Sequence, residues 1–371
     1  MHILHLSYDD IDNPWLGGGG AIHTHSLNRR LSQRYRITVL TGSFPDAPRF
    51  LQRDGVRYIR IGIGSSYLLS RLSFVFSTPL WIRNIRADLA VVDFSVYAPV
   101  IVPLYSCLPA IAVIHNILGT HPLRKYGPIG LGPFIAEHMA LRLYKFFITV
   151  SRFGARTVRR KNLKAYIKVI PFAPSDELFK LPNLEKDYVL FMGRIDVYQK
   201  GLDTLLRAFV EVRRRHPEVT LKVVGDGTRK DKDRLDRLIS ENGLEEGVRT
   251  ETFATGKRKL CLLSGALFLC MPSRYEGWPM MAIEAAASGK ALVGTCISGL
   301  SEIVQNHRTG ILVPPEDWKS LSEAICALIE DPGLRRRMGM AAREWAGQFR
   351  EEEVVRQREL FYQEVAEGAK I

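Results

Sequence analysis

Residues 273–293 read SRYEGWPMMAIEAAASGKALV, and the order of signals within them decides the fold. Pro279 stands where a helix begins and Gly289 where it ends, the punctuation expected of a helix spanning 279–288. The run Ala285, Ala286, Ala287, Ser288 is too small to fill space, so this helix is expected to lie close to a sheet. Apolar runs at 266–271 and 291–295 flank it as strands, giving a strand–loop–helix–strand unit. Two carboxylates bracket the helix start, Glu276 in the preceding loop and Glu284 in the second turn. A helix start attracts anions. Carboxylates beside it repel an anion unless each grips hydroxyls on an uncharged part of the same ligand, so the stretch suits a sugar–phosphate compound.

The same alternation extends in both directions. Strands are expected at 188–192, 219–224, 248–253 and 310–313, with helices at 201–215, 228–242, 316–330 and 333–346. Upstream, strands at 2–7, 37–41, 56–61, 89–93, 110–114, 146–150 and 166–170 alternate with helices at 21–34, 97–107, 133–145 and 152–161. Apolar strands separated by helices imply parallel sheets covered on both faces. Residues 171–187, with three prolines and mixed charge, read as a linker. The expected organisation is two doubly wound α/β domains, 1–172 and 173–349. A final amphipathic helix is expected over 350–371, with Val354, Val355, Leu360, Phe361 and Val365 as its apolar face; its spacing does not say which domain it packs on.

Charge is divided unevenly between the halves. Residues 1–180 hold 23 Lys+Arg against 10 Asp+Glu, a net of +13, and residues 181–371 hold 29 against 29. A basic half attracts anionic lipid, nucleic acid or an anionic substrate. Interleaved basic and aromatic motifs of nucleic-acid binders are missing, so no nucleic acid is expected. Arg152, Arg156, Arg159, Arg160, Lys161 and Lys164 form one basic helical patch suited to an anionic membrane surface. The five cysteines are odd in number and hold no Cys-x-x-Cys pair, which fits a reducing cytosol and excludes a disulfide framework. The opening MHILHLSY reads as a strand rather than a signal peptide. Residues 94–114 carry no charge, but Pro99, Pro103 and Pro109 interrupt them, and they are read as buried strand, helix and strand.

Further candidates fall at strand ends, where open α/β sheets gather their ligands. Gly17 to Gly20 precede the first helix and permit close approach to a phosphate or sugar, without matching the dinucleotide fingerprint. His115 ends an apolar strand; His23, His25 and His121 are weaker candidates. Arg194 and Lys200, between Gly193 and Gly201, supply two cations suited to a diphosphate. Gly225 and Gly227 are expected to let a ligand approach, and Gly299 and Glu302 close a later strand. Asp10 and Asp12 have the spacing of a metal-binding pair and little else to support one. No phosphate-binding P-loop, nucleophile elbow or metalloprotease helix is present.

Taken in order, Gly18-Gly19, His115, Gly193-Arg194, Lys200-Gly201, the VVGDG turn, Glu276-x7-Glu284 and the closing GL-x-EIV…TGILVPPED resemble the family-four retaining glycosyltransferases. The resemblance implies a GT-B architecture, two Rossmann-like domains facing across a cleft, with the C-terminal helix returning to the first domain. It further implies transfer of a sugar from a nucleoside-diphosphate sugar to a glycan, lipid-linked or small-molecule acceptor, with retention and with neither metal nor other cofactor. The alternatives are another GT-B nucleotide-sugar enzyme such as an epimerase, which would release no transferred sugar, and a non-catalytic protein that binds an anionic partner through the basic half, against which the Arg194, Lys200, Glu276 and Glu284 set argues. Carried over by residue, His115 and Glu276 would meet the reacting sugar, and Arg194 and Lys200 the diphosphate. Glu284 would hold the ribose, Gly18, Gly19 and Gly225 would lie close to the donor, and the backbone of Trp278, Met280 and Met281 would meet sugar and phosphate. A cytoplasmic location is expected, and the basic first half, apart from the resemblance, suits either an anionic acceptor or a peripheral place on the inner membrane face. Pro279 offers no N–H, so one donor hydrogen bond is expected to be missing. Leu267, Ser298 and Asn116 also depart from the family pattern.

Overall fold

The computed structural model describes residues 1–15, 19–119, 123 and 127–368, and the chain divides into two compact units. Unit 1 comprises Met1–Phe172 and Glu352–Ile371; unit 2 comprises Ala173–Glu351. Gly18 and His121 lie outside the described residues.

Unit 1 is built on eight strands: β1 (His2–Leu6), β2 (Arg36–Gly42), β3 (Phe50–Arg53), β4 (Val56–Ile61), β5 (Leu89–Asp93), β6 (Ala110–Ile114), β7 (Phe146–Thr149) and β8 (Tyr166–Val169). Their order in the sheet is β3-β4-β2-β1-β5-β6-β7-β8. All pairs are parallel except β3 with β4. The chain winds outward from β1 in both directions, so the crevice between the carboxyl ends of β1 and β5 is the switch point where ligands gather in such sheets. The apolar β5 and β6, buried along most or all of their length, are what a parallel sheet covered on both faces requires.

Unit 2 carries β9 (Tyr188–Met192), β10 (Thr220–Val224), β11 (Val248–Glu251), β12 (Leu269–Met271), β13 (Leu292–Thr295) and β14 (Gly310–Val313). The order is β11-β10-β9-β12-β13-β14, all parallel, with the switch point between β9 and β12. Phe191, Phe209, Phe268, Val293 and Ile325 belong to one continuous core of sheet and helices.

Several expectations need correction. A helix over Tyr67–Asn84 and the edge strand β3 were not anticipated, and neither was a helix over Gly256–Gly265. The expected helix at 97–107 is irregular chain with one 3-10 turn, Val102–Leu104, because Pro99 and Pro103 remove backbone donors. The proline-rich 171–187 is not a bare linker: Leu178 and Phe179 are buried in a 3-10 turn, Asp176–Lys180. The last helix runs Glu351–Ala366, and Val354, Phe361 and Val365 are buried as expected, but the buried face is wider than the apolar residues alone. Arg358, Glu359 and Tyr362 are buried while Leu360 is exposed. It is tied to the rest of unit 1 by Arg34 to Glu359 at 2.9 Å, by the Tyr166 hydroxyl to Glu364 at 2.5 Å, and by Tyr166 stacked on Phe361.

Candidate functional site

In unit 2 the site forms around the start of the helix Met280–Ala287. Pro279 is the residue before the helix, with φ −73° and ψ 105°, rather than its first residue. Its carbonyl accepts from Ala282 N at 3.0 Å, and the N–H groups of Met280 and Met281 precede any intrahelical acceptor. Ala282, Ala285, Ala286 and Ala287 are buried, so the small run seats the helix against its neighbours. Gly289, at φ +73°, ends it, and the Arg343 guanidinium donates to the Ser288 carbonyl at 2.8 Å.

Each carboxylate beside this helix start has its own lysine. Lys200 Nζ lies 2.5 Å from Glu276 Oε1, and Lys259 Nζ lies 2.6 Å from Glu284 Oε1. The Ser273 hydroxyl donates a further bond to Glu276 at 2.8 Å. Paired with a cation, a carboxylate no longer repels an anion nearby, and its remaining lone pairs still accept from hydroxyls. Lys259 was missed by sequence reading. It sits on the Gly256–Gly265 helix, 25 residues from its partner, where no spacing rule connects them.

Backbone contacts between two loops bring Lys200 to Glu276. Gly201 adopts φ +64°, and a Cβ there would overlap the Pro272 carbonyl oxygen. Arg274 N donates to the Gln199 carbonyl at 2.9 Å. The Arg274 side chain takes Asp203 through two bonds of 2.9 Å and Glu316 at 2.5 Å, and it lies over the Tyr198 ring. Arg194 donates to the Gln199 side chain at 2.8 Å. Gly299 lets the next loop pass beside the Glu276 backbone, where a Cβ would stand 2.5 Å from its carbonyl oxygen.

Gly225 and Gly227 make room for neighbouring backbone. At Gly225 a Cβ would overlap the Gly193 carbonyl oxygen, so this loop-on-loop contact by itself requires a glycine. Gly227 faces Ile195 in the same way and forms a bridge with it. The Trp278 side chain is buried edge-on against Phe349, with centroids 5.5 Å apart; Met280 and Met281 are half-buried at the helix start.

In unit 1 a second cluster lies at the carboxyl ends of β1, β5 and β6. His115 Nε2 is 3.1 Å from Asp93 Oδ1, and His5 Nε2 is 3.2 Å from Asp93 Oδ2. Thr24 donates to the same carboxylate at 2.8 Å. The His115 ring stacks on Phe172, and His23 meets the same ring edge-on. Burial alone would raise Asp93, but the His5 and His115 rings overcome it and hold the carboxyl well below its ordinary value. Burial, and then the charge of Asp93, push neighbouring Asp9 up to about 6. Burial, and then the Arg358 charge, lower His23 to about 3, so it is neutral at working pH. Gly19 begins the helix Gly19–Leu31 that carries His23 and Thr24. His25 is bound to Tyr58 and Asp54 instead.

Asp10 and Asp12 are not a metal pair. Both hold Arg60, at 2.9 Å each. Among the described residues one group has metal-ligand geometry, His216, Cys326 and Glu330, at the ends of two helices away from these strand ends. No helix among them is long and apolar enough to cross a membrane.

Two family models match in succession. The model "Glycosyltransferase Family 4" matches residues 17–173 and "Glycosyl transferases group 1" residues 175–345. Glycogen synthase of Mycobacterium tuberculosis is 35% identical over 159 residues, covering 42% of this chain and 37% of the relative. The chain thus matches less than half the length of that relative. Among solved structures, sucrose-phosphate synthase from Thermosynechococcus elongatus aligns over 100% of both chains with TM-score 0.85 and 21% identity. Anabaena Alr3699/HepE, solved in complex with UDP-glucose, aligns over 97% of this chain and 99% of its own, with TM-score 0.75 and 20% identity. Those two likenesses concern the fold. With the paired sheets, the two matched models and the motifs in order, the chain belongs to the group 1 glycosyltransferases of family-four type, built on the GT-B fold.

Proposed function

We propose that this chain moves a sugar from a nucleoside-diphosphate sugar to a glycan, lipid-linked or small-molecule acceptor, with retention at the transferred carbon and without a metal or other cofactor. The observation that carries the reading is the helix start at Met280 flanked by two lysine-paired carboxylates, Lys200–Glu276 and Lys259–Glu284. That arrangement offers N–H groups and cations to a diphosphate and carboxylate oxygens to hydroxyls on either side of it. The UDP-glucose carried by the Anabaena neighbour has both kinds of group.

In physical terms the bond from the sugar carbon to the diphosphate breaks while positive charge grows on the ring. The leaving diphosphate gains negative charge, which Lys200, Arg194 and the N–H groups of Met280 and Met281 stabilise. Fixed donors of this kind are worth about 3–4 kcal/mol each elsewhere. Glu276, already accepting from Lys200 and Ser273, positions sugar hydroxyls rather than taking a proton. Glu284 takes the ribose. In unit 1, His115 held by Asp93 is assigned to the transferred sugar, with Gly19 near it. Retention rests on the family resemblance alone.

The test is a panel of UDP-, GDP- and ADP-sugars incubated with the chain and a metal chelator. Release of nucleoside diphosphate from one donor is expected, falling at least about 100-fold in Glu276→Gln. No release from any donor, or release that requires a divalent cation, would overturn the reading.

A further inference from the structure

Three helices of unit 1 lie on one side of its sheet. Phe74 and Ile82 of the helix Tyr67–Asn84, Ala140 and Leu141 of Leu131–Leu143, and Val158 of Arg152–Lys161 all belong to one core cluster with Leu4, Leu6, Val92 and Ala112. The opposite faces of the first two helices are also apolar. On Tyr67–Asn84 the buried stripe is Ser70, Phe74, Thr78 and Ile82. Leu68, Leu72, Phe76 and Leu80 form a second stripe two residues out of phase, about 200° around the helix. Leu68 is 65% exposed, Phe76 76% and Leu80 62%. The helix Leu131–Leu143 repeats the pattern: Ala136, Ala140 and Leu141 are buried, and Leu131, Ile135, Met139 and Leu143 are exposed. A helix apolar on both sides is ordinarily buried, and two such stripes in one layer are not scattered surface residues.

The third helix supplies charge. Arg152, Arg156, Arg159, Arg160 and Lys161 are exposed, with Lys164 just beyond, and Phe153 and Leu163 stand exposed among them. Across the three helices there is one acidic residue, Glu137, and it is buried, accepting from the backbone N–H groups of Leu118 and Gly119 at 2.7 and 2.9 Å. The layer therefore offers solvent apolar stripes edged by positive charge and no accessible carboxylate.

We propose that this layer is a docking face for an anionic lipid bilayer, with the Leu68–Leu80 and Leu131–Leu143 stripes entering the headgroup boundary and the 152–164 basic run lying on the phosphates. Apolar stripes that present few hydrogen-bonding groups need no shape-matched partner, only an apolar medium, and the basic edge selects negative headgroups. A second copy of the chain fits less well, since pairing the face with itself would set the basic runs of both copies against like charge. The assignment goes beyond the transferase reading and holds for any donor and acceptor.

The experiment is co-sedimentation of the full chain with vesicles of phosphatidylcholine alone and of phosphatidylcholine mixed with phosphatidylglycerol, without donor or acceptor. Partition at least about tenfold higher on the anionic vesicles is expected, weakening as salt is raised. The double variant Leu72→Glu/Phe76→Glu, and separately Ile135→Glu, should each lower it at least about tenfold with the circular dichroism spectrum unchanged. Arg156→Glu/Arg160→Glu, which leaves the apolar stripes intact, should lower it as well. Equal partition on both vesicle types, or unchanged partition in the glutamate variants, would overturn the proposal. So would a wild-type dimer that Phe76→Glu converts to monomer while vesicles bind neither form. Because nucleotide is absent from every arm, failure here leaves the transferase reading standing.

Discussion

The two units share a design and present opposite surfaces. Among the described residues, unit 1 exposes twenty large apolar side chains and unit 2 exposes five. Unit 1 holds 25 Lys+Arg against 13 Asp+Glu, a net of +12, while unit 2 holds 27 against 26. Their strand ends differ in the same spirit. In unit 2 each site carboxylate is neutralised by its own lysine, and glycines let loops press backbone on backbone. In unit 1 two carboxylates, Asp9 and Asp93, share a histidine-rich corner. Unit 2 presents paired charges in a frame fixed by backbone contacts. Unit 1 is built around a smaller polar corner and an outer face whose chemistry suits a bilayer.

The sharpest way to break this comparison is to add one methyl group to each unit. Gly225→Ala in unit 2 would drive a Cβ into the Gly193 backbone, which has no flexible end to swing away. A loss of at least about 3 kcal/mol in chemical denaturation is expected, with the β9–β10 loops the first to open. Gly132→Ala in unit 1 meets nothing within 4 Å and lies in a helix, so a gain of roughly 0.5–1 kcal/mol is expected. Equal and small effects would mean that the loops of unit 2 are not the rigid frame described.

A pH-dependent effect distinguishes the carboxylates. Asp9 titrates near 6 in the folded chain against an ordinary 3.8. The folded state therefore keeps a proton that the unfolded chain has lost, and this contribution to stability falls as pH rises from about 4 to about 6. Asp9→Asn should be more stable than wild type by about 3 kcal/mol at pH 7 and little different near pH 4. A difference independent of pH would remove the carboxylate crowding from the account of unit 1.

Much of this was legible in the sequence, for reasons that also explain what was missed. Parallel strands buried on both faces leave long apolar runs, so β1, β5, β6 and β9 stood out at nearly their full lengths. The helix Tyr67–Asn84 did not, because apolar residues on two opposite faces erase the period that marks a one-sided helix, and Pro79 lies inside it. The feature that hid this helix is the one that now marks its surface. Glu276, Glu284, Arg194 and Lys200 could be picked out because they sit at strand ends beside glycine or proline punctuation. Lys259, Arg274 and Asp93 could not, since each acts through a partner distant in sequence: Glu284, Asp203 and His115. The backbone contact that requires a glycine at 225 was not legible, because a glycine that lets backbone meet backbone looks in sequence like one that admits a ligand. On the last helix Val354, Phe361 and Val365 were legible as buried, whereas Arg358, Glu359 and Tyr362, buried beside them, are passed over by a search for apolar spacing.

The central claim is that unit 2 holds a nucleoside diphosphate between its lysine-paired carboxylates, and titration calorimetry of the intact chain tests it most directly. With chelator present, one of UDP, GDP and ADP should bind and raise the unfolding free energy by about 2.7 kcal/mol at 100 times its dissociation constant. Lys200→Ala should weaken that binding at least about tenfold with the fold intact. Silence from all three at millimolar concentration, or equal binding by wild type and Lys200→Ala, would contradict it.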